Sequence, residues 1–227
     1  MSGRLGGENI VAYDNLVSAF REASEASNNL VYIYPPLNSQ LRAQGNRIAL
    51  EGYLHLFTGT RKRDSDLSVL VHVRETISPT PLALLKSSIH VCYYSVHGNN
   101  AHFQHGIHFD YGPAQDLHPL FHAQLCLDDI DLSPQHRSEL AFEWTVKRGS
   151  PSCFREARIP TSDMTFPSLL LCLAADHLQS SFLVFRDRVT HHQAKLPQPV
   201  CSTTTESVTA EKSNLRSHHW FAHDVRQ

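Results

Sequence analysis

Four segments of the chain alternate between apolar and polar side chains, and this alternation constrains the fold more than any other feature. They are residues 48–57, 67–74, 101–111 and 118–127. In the third segment, one face takes Phe103, Ile107, Phe109 and Tyr111, and the other takes His102, Gln104, His108 and Asp110. A period of two is typical of a β-strand that buries one face and exposes the other. The pattern therefore predicts a half-buried sheet.

Other segments predict the elements around these strands. Residues 9–27 and 164–187 follow a helical period, with apolar side chains at i, i+3 and i+4. Residues 31–36 and 89–96 predict two more strands, residues 139–147 are a candidate for a further one, and residues 79–87 predict a turn or a single helical turn. Short connections without a strand–helix–strand rhythm favour an antiparallel sheet.

These elements predict one α+β domain over residues 1–196. We expect an antiparallel sheet of five to seven strands, covered on one face by an N-terminal and a C-terminal helix. Residues 197–227 are rich in Ser and Thr and hold few large apolar side chains, which predicts a flexible C-terminal tail.

Charge and cysteine usage exclude several classes of protein. The chain has 20 Lys and Arg against 22 Asp and Glu, so nonspecific binding to duplex nucleic acid is not expected, although RNA is not excluded. Its apolar runs are too short to predict a membrane span. The 5 cysteines are widely spaced and form no C-x-x-C pair, which favours reduced thiols in a cytoplasmic protein.

Histidines concentrate in one block of predicted strands. The chain has 16 histidines, and this block holds His90, His97, His102, His105, His108, His118 and His122. The alternation predicts a polar face with His108, Asp110, His118, His122 and Gln124. If the other strands join the same sheet, the face widens into a groove with Glu51, His55, His72 and Arg74.

Strand geometry limits what these histidines can do. His118 and His122 are separated by about 13 Å on a strand, too far for one ion held at about 2 Å from each ligand. Pairing apolar with apolar side chains in a hairpin sets either Asp110 opposite His118 or His108 opposite His122. Such a cluster fits three interpretations: a solvated face, acid–base or substrate-binding chemistry, and a metal site. We expect no cofactor, with a divalent metal as the alternative.

Three short motifs resemble a family of bacterial proteins of unknown function. They are His108-Phe109-Asp110-Tyr111, His118-Pro119-Leu120-Phe121-His122 and Arg158-Ile159-Pro160-Thr161, within residues 90–185. The histidine-rich strands are also similar to the toxin of a bacterial toxin–antitoxin pair. Both resemblances imply a bacterial cytoplasmic protein from a defence or toxin–antitoxin locus, and neither supplies a reaction.

Two functional hypotheses follow. The first is a binding or regulatory component of such a system, which engages a protein partner through the polar sheet face or the C-terminal tail. The alternative is a hydrolase or nuclease-like toxin that uses His108, Asp110, His118 and His122 as catalytic residues.

Overall fold

The computed structural model describes residues 2–35, 42–44, 47–58, 66–79, 81–111, 121–148, 158–160, 165–178, 181–192 and 195–199. The helices are α1 (Ser2–Ala26), α2 (Pro134–Glu139), α3 (Phe166–His177) and α4 (Phe182–His192). The strands are β1 (Asn29–Tyr34), β2 (Arg42–Gln44), β3 (Arg47–Thr58), β4 (Asp66–Pro79), β5 (Leu82–His97), β6 (Asn100–Tyr111), β7 (Phe121–Cys126), β8 (Thr145–Lys147), β9 (Arg158–Pro160) and β10 (Gln198–Pro199).

The fold is α+β and its sheet is mixed, which corrects the expectation of a purely antiparallel sheet. Seven strands form the continuous antiparallel path β1-β3-β4-β5-β6-β7-β9. Two short strands pair in parallel, β8 with β6 and β10 with β5. They arrive from distant parts of the chain, so no hairpin turn forces them to run antiparallel.

Two other expectations on secondary structure are wrong. Residues 82–87 belong to β5, although the prolines at 79 and 81 suggested a turn. Instead of one helix over 164–187, α3 ends at its C-cap Leu178 and α4 begins at Phe182. The Ser27 hydroxyl donates to the Leu178 carbonyl at 2.7 Å and also contacts Ser181. This contact from the end of α1 occupies a carbonyl at the break.

One face of the sheet, called here the first face, shares a hydrophobic core with α1, α3 and α4. Buried side chains of the helices and the strands meet in this core, among them Phe20, Leu170, Leu54, Val71 and Val91. They are the apolar members of the helical and alternating patterns in the sequence, and their removal from water is the main favourable contribution to folding.

A buried carboxyl group ties two helices to the first face. The Tyr13 hydroxyl of α1 donates to Glu75 Oε2 at 2.8 Å, and the Phe166 amide of α3 donates to Glu75 Oε1 at 2.9 Å. The Ser87 hydroxyl donates to the same oxygen at 3.2 Å. Burial raises the pKa of Glu75, and the three hydrogen bonds oppose that rise.

The opposite face, called here the second face, carries a second core where a solvated surface was expected. Strand side chains such as Leu70, Tyr94 and Phe103 pack there against Ile130, Leu132, Leu140 and Phe142. These last four belong to one stretch of chain, residues 130–147, called here the covering segment. It holds α2 and β8, where the sequence suggested one strand over 139–147.

The structure describes only the first residues of the expected C-terminal tail. In the expected C-terminal tail, Gln198 and Pro199 pair with β5, and residues 200–227 lie outside the described residues. Within the part of the chain that is described, none of the helices combines the length and the apolar character that crossing a membrane requires.

Candidate functional site

The strand register aligns a row of ring side chains across the second face. Consecutive cross-strand pairs connect six residues, called here the histidine row: Tyr34, Tyr53, His72, His90, His108 and Gln124. The next register positions on the same face form the charged row: Glu51, Arg74, Ser88, Asp110 and His122. Seven of the nine residues singled out in the sequence therefore lie at adjacent register positions.

The β6–β7 register differs from both expected hairpins. Asp110 lies opposite His122, and His108 lies opposite Gln124. The apolar-with-apolar rule holds, and the true pairing is displaced by one further step of two residues. His118 lies outside the described residues, so its place relative to Asp110 stays a prediction.

A β-bulge in β6 changes which residues share a face. Tyr93 pairs with His105 but Tyr94 pairs with Phe103, so Gln104 is an extra residue in β6. Phe103 consequently packs in the core of the second face. His102, opposite Ser95, therefore does not share a face with His108, contrary to the simple alternation.

His55 lies on the second face but is not part of an open groove. Its side chain is fully buried, Nδ1 is 2.7 Å from the Leu140 carbonyl and Nε2 is 2.9 Å from the Ser68 hydroxyl. Burial lowers the pKa of His55 to about 4, against the opposing effect of the Leu140 hydrogen bond. The covering segment makes His55 a core residue and not part of an exposed groove, and its role as a binding residue stays a prediction.

The rings of the histidine row stack in pairs. Tyr53 and His72 have centroids 4.4 Å apart with planes 12° from parallel, and His90 and His108 have centroids 3.8 Å apart at 22°. His136 of α2 lies 4.7 Å from the Tyr53 ring, so the covering segment borders the row. Such stacking fixes flat side chains in one orientation along the sheet.

Burial and local charge keep histidines of the row neutral near pH 7. Burial, with help from Arg74, lowers the pKa of His72, and the Glu51 carboxylate 3.3 Å away opposes this. Burial also lowers the pKa of His108, while Asp110 opposes it. A neutral imidazole can accept a proton, bind a metal or stack on a partner, and it lacks the positive charge of an imidazolium.

Sequence reasoning missed three residues next to His108. His90 Nε2 lies 3.1 Å from Cys92 Sγ and 3.2 Å from Cys126 Sγ. The two thiol groups both point to the Asp128 carbonyl oxygen, at 3.7 and 3.8 Å. Residues two apart on a strand share a face, so alternation places Cys92 on the face of His90 in β5 and Cys126 on the face of Gln124 in β7. Their meeting across β6, however, requires the register of three strands.

Some of these groups are positioned to hold a metal ion. The ligand atoms of His90, His108 and Cys126 all lie within 4.8 Å of one another. Burial, followed by the charges of His108 and His72, lowers the pKa of His90 to about 3, and burial raises the pKa of the Cys92 thiol. The face thus offers stacked neutral rings, exposed charges and a compact nitrogen–sulfur cluster.

Comparisons with known proteins provide no identification. No protein-family model, no curated protein and no solved structure matches this chain.

Proposed function

We propose that the protein is a binding protein that engages a protein partner through the histidine row and the charged row of the second face. In this proposal it is a cytoplasmic regulatory component of a bacterial defence or toxin–antitoxin system, as its short motifs suggest. The helices α1, α3 and α4 cover the first face, which leaves the second face as the recognition surface.

One observation carries the proposal: the second face already docks a segment of its own chain. The covering segment packs on it through aromatic contacts, including Phe142 on Tyr94 at 5.1 Å and Trp144 on Phe57 at 5.4 Å. On the same strands, beside the residues that the covering segment contacts, the histidine row carries stacked rings. The side chains of Glu51 and Arg74 next to this row are exposed. Aromatic and arginine side chains are enriched in protein interfaces, where they supply much of the binding energy.

Arg74 offers the sharpest test. It is exposed, it pairs with Glu51 in the strand register, and its charge lowers the pKa of His72. We expect Arg74→Glu to weaken binding of the partner by about 2 kcal/mol or more, because reversal replaces an attractive contact with a repulsive one. The partner is identified among the proteins that bind the tag-free full chain in an extract of its own host. Its affinity for the wild type and for each variant is then measured by calorimetry.

The matched control is Arg21→Glu, the same charge reversal at an exposed position of α1. We expect it to retain the partner. Equal affinity of the partner for the wild type and for Arg74→Glu contradicts the proposal, as does equal weakening by both reversals.

The alternative function is a hydrolase or nuclease-like toxin. It is favoured by the register that sets Asp110 opposite His122, and by the charge of Asp110, which opposes the lowering of the pKa of His108 by burial. A histidine beside a carboxylate is a general-base arrangement. If the protein is such an enzyme, His108→Ala should abolish both RNA cleavage and the growth arrest of a bacterium that expresses it. The melting temperature of the variant should barely change. Full toxicity of the folded variant rules out this role.

A further inference from the structure

A glycine in the central part of β6 opens a space on the second face. Gly106 lies between Cys92 of β5 and Cys126 of β7 in one cross-strand line. A Cβ atom at Gly106 would lie 2.5 Å from Cys126 Sγ and 3.1 Å from His90 Nε2. The first distance is far below ordinary contact and the second is a tight one, so the approach of the sulfur depends on the missing side chain.

The groups around this space are mostly electron-pair donors. They are the His90 and His108 rings, the Cys92 and Cys126 sulfurs and the Asp128 carbonyl oxygen. A thiol is a weak hydrogen-bond donor, so a cluster of this kind gains little as a hydrogen-bond network. A soft or borderline cation satisfies the nitrogen and sulfur donors far better.

A disulfide between the two cysteines does not explain the cluster. Cys92 and Cys126 belong to strands separated by β6, so their Cα atoms are about 9.5 Å apart from strand spacing alone. Disulfides require Cα atoms within about 7 Å. Neither cysteine takes part in a disulfide in the structure.

We propose that His90, His108 and Cys126 bind one zinc ion beside Gly106, a function that goes beyond partner binding although His90 and His108 belong to the histidine row. Zinc prefers imidazole nitrogen and thiolate sulfur, and tetrahedral zinc separates such ligand atoms by about 3.5 Å. His90 Nε2 and Cys126 Sγ are 3.2 Å apart, and the three ligand atoms lie within 4.8 Å of one another. Small side-chain shifts therefore bring the three ligand atoms to this spacing, and a solvent molecule takes the fourth position of the tetrahedron. The Cys126 thiol releases its proton to solvent as the zinc–sulfur bond forms.

Cys92 is outside the ligand set, although it touches the same histidine nitrogen. It is fully buried and lies toward the core of the second face, which it shares with Leu70 and Tyr94. Cys92 therefore serves as a matched variant: the same residue type, next to the same His90, in a packing role.

The test measures zinc in the full-length chain, purified without a histidine tag, by elemental mass spectrometry and by competition with a chromophoric chelator. Cobalt substitution adds a second measurement, because thiolate-bound cobalt gives a charge-transfer band in the near ultraviolet. We expect near-stoichiometric zinc in the wild type, and an affinity about 100-fold lower or worse in His108→Ala and Cys126→Ala. The cobalt band is lost in Cys126→Ala.

Two variants are expected to keep zinc. His102→Ala removes an exposed histidine of the same strand that does not share a face with His108, and Cys92→Ala removes the packing thiol. Circular dichroism confirms that each variant is folded. A wild type with neither bound zinc nor zinc uptake overturns the site. Retention of zinc by folded Cys126→Ala, or equal loss in folded Cys92→Ala and Cys126→Ala, overturns the assigned ligands. Partner binding by Arg74 variants is measured separately, so one proposal can fail without the other.

Discussion

The second face of the sheet has two parts built on the same strands, and they differ in what lies on them. Around Leu70, Tyr94 and Phe103 the side chains are apolar and the covering segment packs on them. Along the histidine row and the charged row the side chains are rings and charges, with Glu51 and Arg74 exposed. Strand geometry is shared by both parts, so the side chains decide on which part the covering segment packs.

His55 and His72 show the difference at the level of one residue type. Both lie on the second face, on neighbouring strands. His55 is enclosed by Leu140, Phe142 and Trp144, whereas His72 stacks on Tyr53 and contacts the exposed Glu51. His55 in the covered part is held by two buried hydrogen bonds, whereas His72 is held by contacts with Tyr53 and Glu51 that a ligand can replace.

The largest expected effect is in the covered part. Phe142 is 1% exposed and packs edge-on against Tyr94 and His55. Phe142→Ala should lower the free energy of unfolding by about 3–5 kcal/mol, because it removes buried apolar surface and leaves a cavity. Urea unfolding measures this. Leu183→Ala, at a side chain that is 54% exposed on α4, is the control with a small expected change. A similar loss in both variants contradicts the division of the face.

A second effect is a pH dependence that belongs to His55. Its pKa is about 4 in the folded protein, against about 6.5 in the unfolded chain. The unfolded state therefore binds more protons between these values, so the His55 contribution to stability is present above about pH 6.5 and is lost as pH falls toward 4. Its full size is on the order of 3 kcal/mol.

Other histidines also titrate in this range, so the measurement is a comparison. Unfolding free energies are measured from pH 4 to 7 for the wild type and for His55→Gln, and the difference isolates His55. Identical slopes in the two proteins mean that the covering segment does not bury this ring as the structure shows.

The boundary between the two parts gives a third, smaller effect. Gly106→Ala places a methyl group 2.5 Å from Cys126 Sγ and should cost about 1–3 kcal/mol by overpacking. The double variant Gly106→Ala/Cys126→Ala removes the opposing sulfur and should recover part of that loss. Strictly additive losses in the double-mutant cycle would show that the two groups do not meet.

The smallest effects on stability belong to the open part. Glu51→Gln and Arg74→Ala each change exposed side chains and should alter the free energy of unfolding by less than about 0.5 kcal/mol. They should nevertheless shift the pKa of His72 in opposite directions. It falls in Glu51→Gln, which loses a stabilising carboxylate, and rises in Arg74→Ala, which loses a repelling cation. NMR titration of His72 measures both shifts, and shifts of the same sign contradict the geometry.

Much of the fold could be predicted because the apolar side chains of strands and helices recur in the sequence with the period of each structure. Alternation alone puts Glu51 and His72 on the same side of their strands, and the register confirms that they share a face. The bulge at Gln104 could not be predicted, because an extra residue in one strand leaves no distinct composition signal. The first part of β5, which includes Leu84 and Leu85, was not predicted as a strand because the nearby prolines favour a turn.

The candidate site divides in the same way. His108, Asp110 and Gln124 were found because they belong to clear alternating segments. Cys126 and His90 were missed as partners, because β5 and β7 contact the same space only through the glycine of the strand between them. The burial of His55 depends on Leu140, which is 85 residues away along the chain.

By itself, the sequence determined the α+β class, most of the strands and, apart from the bulged strand β6, which residues lie on the same side of a strand. These features depend on local periodicity, and a side chain's direction on a strand is fixed by its neighbours in the chain. Only the tertiary structure decided the mixed sheet, the covering segment over His55, the β6–β7 register and the meeting of His90, His108 and Cys126. Those features depend on contacts between distant residues, for which the free energy of packing, and not any local pattern, selects the partner.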